Sequence, residues 1–146
     1  SDSRYLAAEP GEYIVAARKE KGGERWFVGG VTNGDARTLP VAFDFLDAGK
    51  KYVATVYADA KDADYQTAPE KYVITKGLVT SKDAVKLFMA RGGGFAISLV
   101  PAGEADKKLK RLKIVSGFAA LIFWGIIWLL RAESVSLKNE RNDCGL

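Results

Sequence analysis

Histidine is absent from all 146 residues, and the single cysteine, Cys144, is the third residue from the C-terminal end. The first absence removes the side chain that most often carries protons near neutral pH and most often binds metals, so Ser-His-Asp and Cys-His chemistry is excluded. The second excludes disulfide frameworks and thiolate zinc sites from the body of the chain. No cofactor or metal is expected from what remains. Clustered charge of one sign is also missing. Residues 1–103 carry 14 Lys or Arg against 13 Asp or Glu, and the net charge of +4 lies mostly in residues 104–146. A body so nearly neutral lacks the basic face that counterion release requires, so no nucleic-acid partner is expected. The chain opens at Ser1 with no initiator methionine and no charged-then-apolar leader, as a mature product or a fragment would.

What is present is a series of short apolar runs at period two, separated by turn residues. Strands are expected at Glu12 to Lys19, Arg25 to Thr32, Leu39 to Phe45, Lys51 to Tyr57, Lys71 to Val79, Ala84 to Met89 and Phe95 to Leu99. Lys21-Gly22-Gly23-Glu24 reads as a hairpin loop, and the next strand sends Trp26 and Phe27 to opposite faces. Pro40 cannot donate to a ladder, which places its strand at an edge or starts it there. About seven strands without an amphipathic helix before Pro101 predict an all-β fold, an antiparallel β-sandwich over residues 1–103.

Beyond Pro101 the composition changes. Residues 104–113 read as a basic linker, and Ile114 to Leu130 is an uncharged, largely apolar run of 17 residues followed by a polar tail, 131–146. At about 1.5 Å per residue that run would make a hydrophobic C-terminal helix of roughly 25 Å, near the short limit for a transmembrane span. Trp124 and Trp128 lie near its end, and the basic block before it reads as a juxtamembrane anchor, so the membrane is a candidate partner.

Several candidate sites dissolve on inspection. Gly92-Gly93-Gly94 is followed by a strand, not a helix with Lys and a hydroxyl, and reads as a hairpin turn and not a phosphate loop. Asp59 and Glu70 stand at positions 1 and 12 of a calcium loop, but Lys61, Ala63 and Asp64 occupy positions 3, 5 and 6, which leaves a solvated acidic loop. No pair of carboxylates stands out for glycoside hydrolysis, because most acids flank turns. Trp26, Tyr57 and Tyr65 are candidates for an interface or for stacking on sugar, with packing in a core or domain interface the stronger reading.

The ordered set Gly11-Glu12-Tyr13-Ile14-Val15-Ala16-Ala17-Arg18, Trp26-Phe27-Val28-Gly29, Thr32-Asn33, Phe45-Leu46 with Gly49 and Tyr52, and Val56-Tyr57-Ala58-Asp59 resembles the C-terminal domain of glycoside hydrolase family 97, the α-glucosidase and α-galactosidase family. Asp62-Ala63-Asp64-Tyr65, Tyr72-Val73-Ile74 and Gly92-Gly93-Gly94-Phe95-Ala96-Ile97 continue the resemblance, which covers residues 1–101. It implies a β-sandwich that follows a (β/α)8 barrel, packs against it and serves oligomerisation, with the catalytic carboxylates and calcium ligands in regions that this chain does not contain. No catalytic residue carries over. The expected role is therefore a non-catalytic accessory domain whose partners are a glycosidase barrel or a second copy. The alternative is a membrane-tethered carbohydrate-binding module. The resemblance also implies an exported, cell-envelope location in the periplasm. The tail departs from it: Lys107, Lys108, Lys110, Arg111 and Lys113 precede the apolar run and only Arg131, Lys138 and Arg141 follow, which would put the sandwich in the cytoplasm. The tail is expected to be a fusion, a readthrough or a truncated-gene product, with a real anchor as the second choice.

Overall fold

The structure, a computed structural model, describes residues 2–113; the expected hydrophobic helix at 114–130 and the polar tail lie outside the described residues. No helix among the described residues is long and apolar enough to cross a membrane. Eight strands are present: β1 (Ser3–Glu9), β2 (Tyr13–Lys19), β3 (Trp26–Thr32), β4 (Arg37–Ala42), β5 (Tyr52–Asp59), β6 (Tyr72–Val79), β7 (Ala84–Met89) and β8 (Gly94–Pro101), followed by a 3₁₀ turn at Glu104–Lys108. They form an unequal antiparallel sandwich. Six strands in the order β1-β2-β3-β8-β5-β6 face a ribbon of two, β4-β7.

Alternation along each strand divides the large sheet into two faces. Inward point Val15 and Ala17 of β2, Trp26 and Val28 of β3, Phe95, Ile97 and Leu99 of β8, and Tyr52, Ala54 and Val56 of β5, all buried. Val41 of β4 and Val85, Leu87 and Met89 of β7 close on them from the other layer. Trp26 and Phe27 do diverge as expected, and the β2–β3 loop is the hairpin that Gly22, at φ +74°, permits. Pro40 lies inside β4, which has only β7 as a neighbour, so the proline does sit on an edge strand.

The structure also departs from the expected strands. β1 pairs with β2 and adds an eighth strand, with a bulge between Tyr5 and Ala7 that breaks its alternation. β4 ends at Ala42, and Phe43, Phe45 and Leu46 belong to the turn that follows, yet all three are buried. Phe45 packs on Trp26 with ring centroids 4.9 Å apart, and Phe43 meets Phe45 edge to face at 6.3 Å. A turn fills this part of the core because a ribbon of two strands cannot cover a sheet of six. The triple glycine is not a hairpin turn. It carries the chain from β7 in one layer to β8 in the other, with Gly92 at φ +65°.

Residues 104–113, expected as a linker, pack on the sandwich. Lys110 O accepts from the backbone N–H of Leu78 at 3.0 Å, and Leu112 N–H donates to Leu78 O at 3.0 Å. A short strap thereby runs parallel to β6 on its outer edge at Leu78. Leu112 enters the core, 6% exposed, and its backbone nitrogen lies 2.6 Å from where a Cβ on Gly77 would stand, so only glycine leaves room for it. Residues 104–113 accordingly belong to the same compact unit as the sandwich.

Candidate interaction surface

The strand registers assemble the outward side chains of the large sheet into rows. One runs Tyr5, Ala16, Gly29, Ala96, Tyr57 and Ile74 across all six strands. The next brings Ala8, Ile14 and Val31 together, and on the other side Arg18, Phe27, Ser98, Thr55 and Lys76 line up. Tyr5 (77%), Val31 (57%), Ile74 (55%), Phe27 (47%) and Tyr57 (45%) are exposed on this face. Small side chains form its middle and aromatic ones stand at its sides, so the surface is flat, apolar and unlike the polar outer face of an ordinary half-buried sheet. Arg18 and Lys76 are both basic and share one row, where Arg18 Nε donates to Ser3 Oγ at 3.2 Å, while Asp59, at the outward parity opposite Tyr72, turns its carboxylate to the N–H groups of Ala90 and Gly94. At the other end a shallow groove of about 470 Å³ opens between Ala8, Pro10, Tyr13, Ile14, Val31 and Asn33.

The three aromatic candidates do not share a surface. Trp26 is 3% exposed and stacked in the core, with no hydrogen-bond partner for its indole N–H among the described residues. Tyr57 belongs to the outer face. Tyr65 lies on the loop between β5 and β6, half exposed, with the Arg91 guanidinium 5.5 Å from its ring centroid and the triple-glycine turn alongside at Gly92. A stacking platform of all three is thereby excluded, because Trp26 faces the other sheet. Sequence reasoning missed Tyr5, Ile14, Phe27, Val31 and Ile74 as a set. The alternation of apolar residues on both faces of β3 and β5 was the signal available.

The acids of the long loop serve the fold. Asp59 Oδ2 accepts from the backbone N–H groups of Ala90 (2.9 Å) and Gly94 (2.7 Å), which fixes the turn between the layers. Asp62 pairs with Lys71, and Asp64 Oδ1 accepts from Gln66 N–H at 2.9 Å. No group of three or more acidic or sulfur ligands converges among the described residues. The buried carboxylate of Asp83 is also structural: Oδ2 accepts from Thr80 N–H (2.8 Å) and Oγ (3.1 Å), and Oδ1 takes Arg111 at 2.6 Å. Hydrogen bonding from Lys50, and then from the Tyr52 hydroxyl, holds Asp47 below the usual aspartate range, while burial pushes Tyr52 above the usual tyrosine range.

Residues 1–100 match the model of the family described as "Glycosyl-hydrolase 97 C-terminal, oligomerisation". Over 98 residues the chain is 36% identical to a retaining α-galactosidase of Bacteroides thetaiotaomicron, covering 67% of this chain and 14% of that enzyme. It is also similar to a glycoside hydrolase family 97 enzyme from Pseudoalteromonas sp. strain K8 solved with acarbose. The TM-score is 0.65 at 37% identity, covering 69% of this chain and 16% of that one. A β-arabinopyranosidase shares the fold at 20% identity and a TM-score of 0.51. The chain thus spans about one seventh of the galactosidase it matches, and through residues 1–100 it belongs to the C-terminal, oligomerisation domain family of the family 97 glycoside hydrolases.

Proposed function

We propose that this chain is a non-catalytic accessory domain that packs through the outer face of its large sheet against a glycosidase catalytic barrel, and that it associates with further copies of itself. The observation that carries the packing role is the exposed row from Tyr5 to Ile74 with its neighbours Ile14, Phe27 and Val31. Six strands spaced about 4.8 Å apart and about seven residues long make a face of roughly 600 Å². That is at the upper end of the apolar patches that monomers tolerate, and near the roughly 800 Å² that one partner gives to a standard interface. Its basic row suits a partner with acidic groups at the rim. The carbohydrate-binding alternative loses support, since its platform depended on Trp26.

The test uses the full chain and the dye 8-anilinonaphthalene-1-sulfonate. Phe27→Lys with Tyr57→Lys should lower dye fluorescence several-fold while the circular dichroism is kept, because the two positions take no part in the core. Unchanged dye binding in that variant would remove the outer face from the proposal. Turnover of an aryl α-glucoside or α-galactoside, with or without Ca²⁺, would overturn the non-catalytic assignment.

A further inference from the structure

The first half of β6 projects beyond the two-stranded layer. Tyr72 (65% exposed) and Ile74 (55%) stand on its outer face and Val73 (51%) on its inner one, and Thr75 and Lys76 are also exposed. Both faces of this segment and one edge therefore meet solvent. β6 is the last strand of the sheet, and its free edge is already shown to accept backbone partners, because the N–H and C=O of Leu78 bond outward to Lys110 and Leu112. In an antiparallel pair the outward groups recur at every second residue. Those of Tyr72, Ile74 and Lys76 therefore point the same way as those of Leu78, and among the described residues no strand pairs with them.

Resting on the self-association reading above, we propose that this edge is where it occurs: β6 of one copy pairs antiparallel with β6 of a second about a two-fold axis at Ile74, joining two six-stranded sheets into one. The sequence of the edge is self-complementary in that register. Ile74 meets Ile74, Val73 meets Thr75 on the inner face, and Tyr72 meets Lys76 twice on the outer face. These are apolar, β-branched and cation–aromatic pairs of the kind that stabilise cross-strand contacts, and the three outward residues of each copy supply about six backbone hydrogen bonds. A lysine on an edge strand ordinarily discourages such pairing. Here the dyad sets Lys76 opposite an aromatic ring and away from its own copy, so its charge is accommodated. An isologous contact of this type closes at two copies. A second copy is favoured over an unrelated peptide because one short segment satisfies both sides of the contact.

Sedimentation of the full chain across a concentration range should show a dimer. Ile74→Pro removes an outward N–H that has no strand partner among the described residues, and Ile74→Lys places two ammonium groups on the axis. Each should weaken the dimer about tenfold or more with little change in melting temperature. Residues paired across the axis would have Cα atoms about 5.5 Å apart, which suits a disulfide. In a Cys144→Ser background, Ile74→Cys should therefore cross-link to a dimer on mild oxidation, and Tyr5→Cys on the opposite edge should not. A dimer unaffected by both Ile74 substitutions, or equal cross-linking at Tyr5, would overturn the edge assignment and leave self-association standing. A chain that stays monomeric at every concentration would overturn both.

Discussion

Arg111 reaches across 28 residues of sequence to place its guanidinium 2.6 Å from the buried carboxylate of Asp83. The pair locks the strap beside β6, since Asp83 is itself held by Thr80 at the end of that strand and Arg111 sits between the two residues that bond Leu78. Leu112→Ala should cost about 2 to 5 kcal/mol in urea unfolding of the full chain, the range for deleting a buried leucine side chain. An unchanged midpoint would mean that the strap is not docked in solution.

Gly77→Val tests the same attachment from the other side. A side chain there meets the Leu112 backbone, so the strap must lift and the amides of Leu78 and Leu112 should lose protection from hydrogen exchange. Retention of both protection factors would contradict the close approach.

Asp59→Ala would strand the N–H groups of Ala90 and Gly94, which share one carboxylate oxygen. An unsatisfied buried donor costs about 1 to 3 kcal/mol. The variant should melt lower and exchange these two amides faster, and Asp59→Asn, which keeps an acceptor, should recover part of the loss. Equal stability of Asp59→Ala and the parent would assign the turn to its glycines alone.

The depressed pKa of Asp47 sets a sign for acid stability. A carboxyl whose folded value lies below its unfolded one, about 3.9, contributes fully above that unfolded value and loses its contribution as the pH falls through the folded one. Asp47→Asn should therefore reduce the fall in melting temperature between about pH 5 and pH 2. If variant and parent follow parallel curves, the Lys50 and Tyr52 hydrogen bonds to Asp47 do not persist in solution.

Much of the sandwich is legible because β2, β3 and β8 alternate cleanly and most of the turns carry a glycine or asparagine, the β5–β6 and β6–β7 connections excepted. β1 is not, for a local reason: the bulge after Tyr5 puts two residues opposite one, and a period of two cannot be followed through it. The strap was hidden by its composition. Lys107 to Lys113 looks solvated, and only Leu112, with Gly77 far away in sequence, takes it to the core. The interaction face was half visible. Tyr57 stands among the sequence candidates, but Tyr5 depends on a strand that the pattern conceals, and Trp26 takes the stronger of its two readings, packing in the core, as its alternation with Phe27 requires. The pairing of β7 with β4 could not be read from turns, because Gly92 permits a sharp reversal without saying which layer receives the chain.

Because the smaller layer has only two strands, the roof over Trp26 is built partly from Phe43, Phe45 and Leu46, and the end of the core from Leu112. Phe43, Phe45 and Leu46 lie outside the strands, and Leu112 is held at the sheet edge by the one bridge to Leu78, yet these residues should resist insertion and polar replacement as firmly as any central strand. Lengthening the connection after Ala42, a change that surface connections usually absorb, would here open the interior to water.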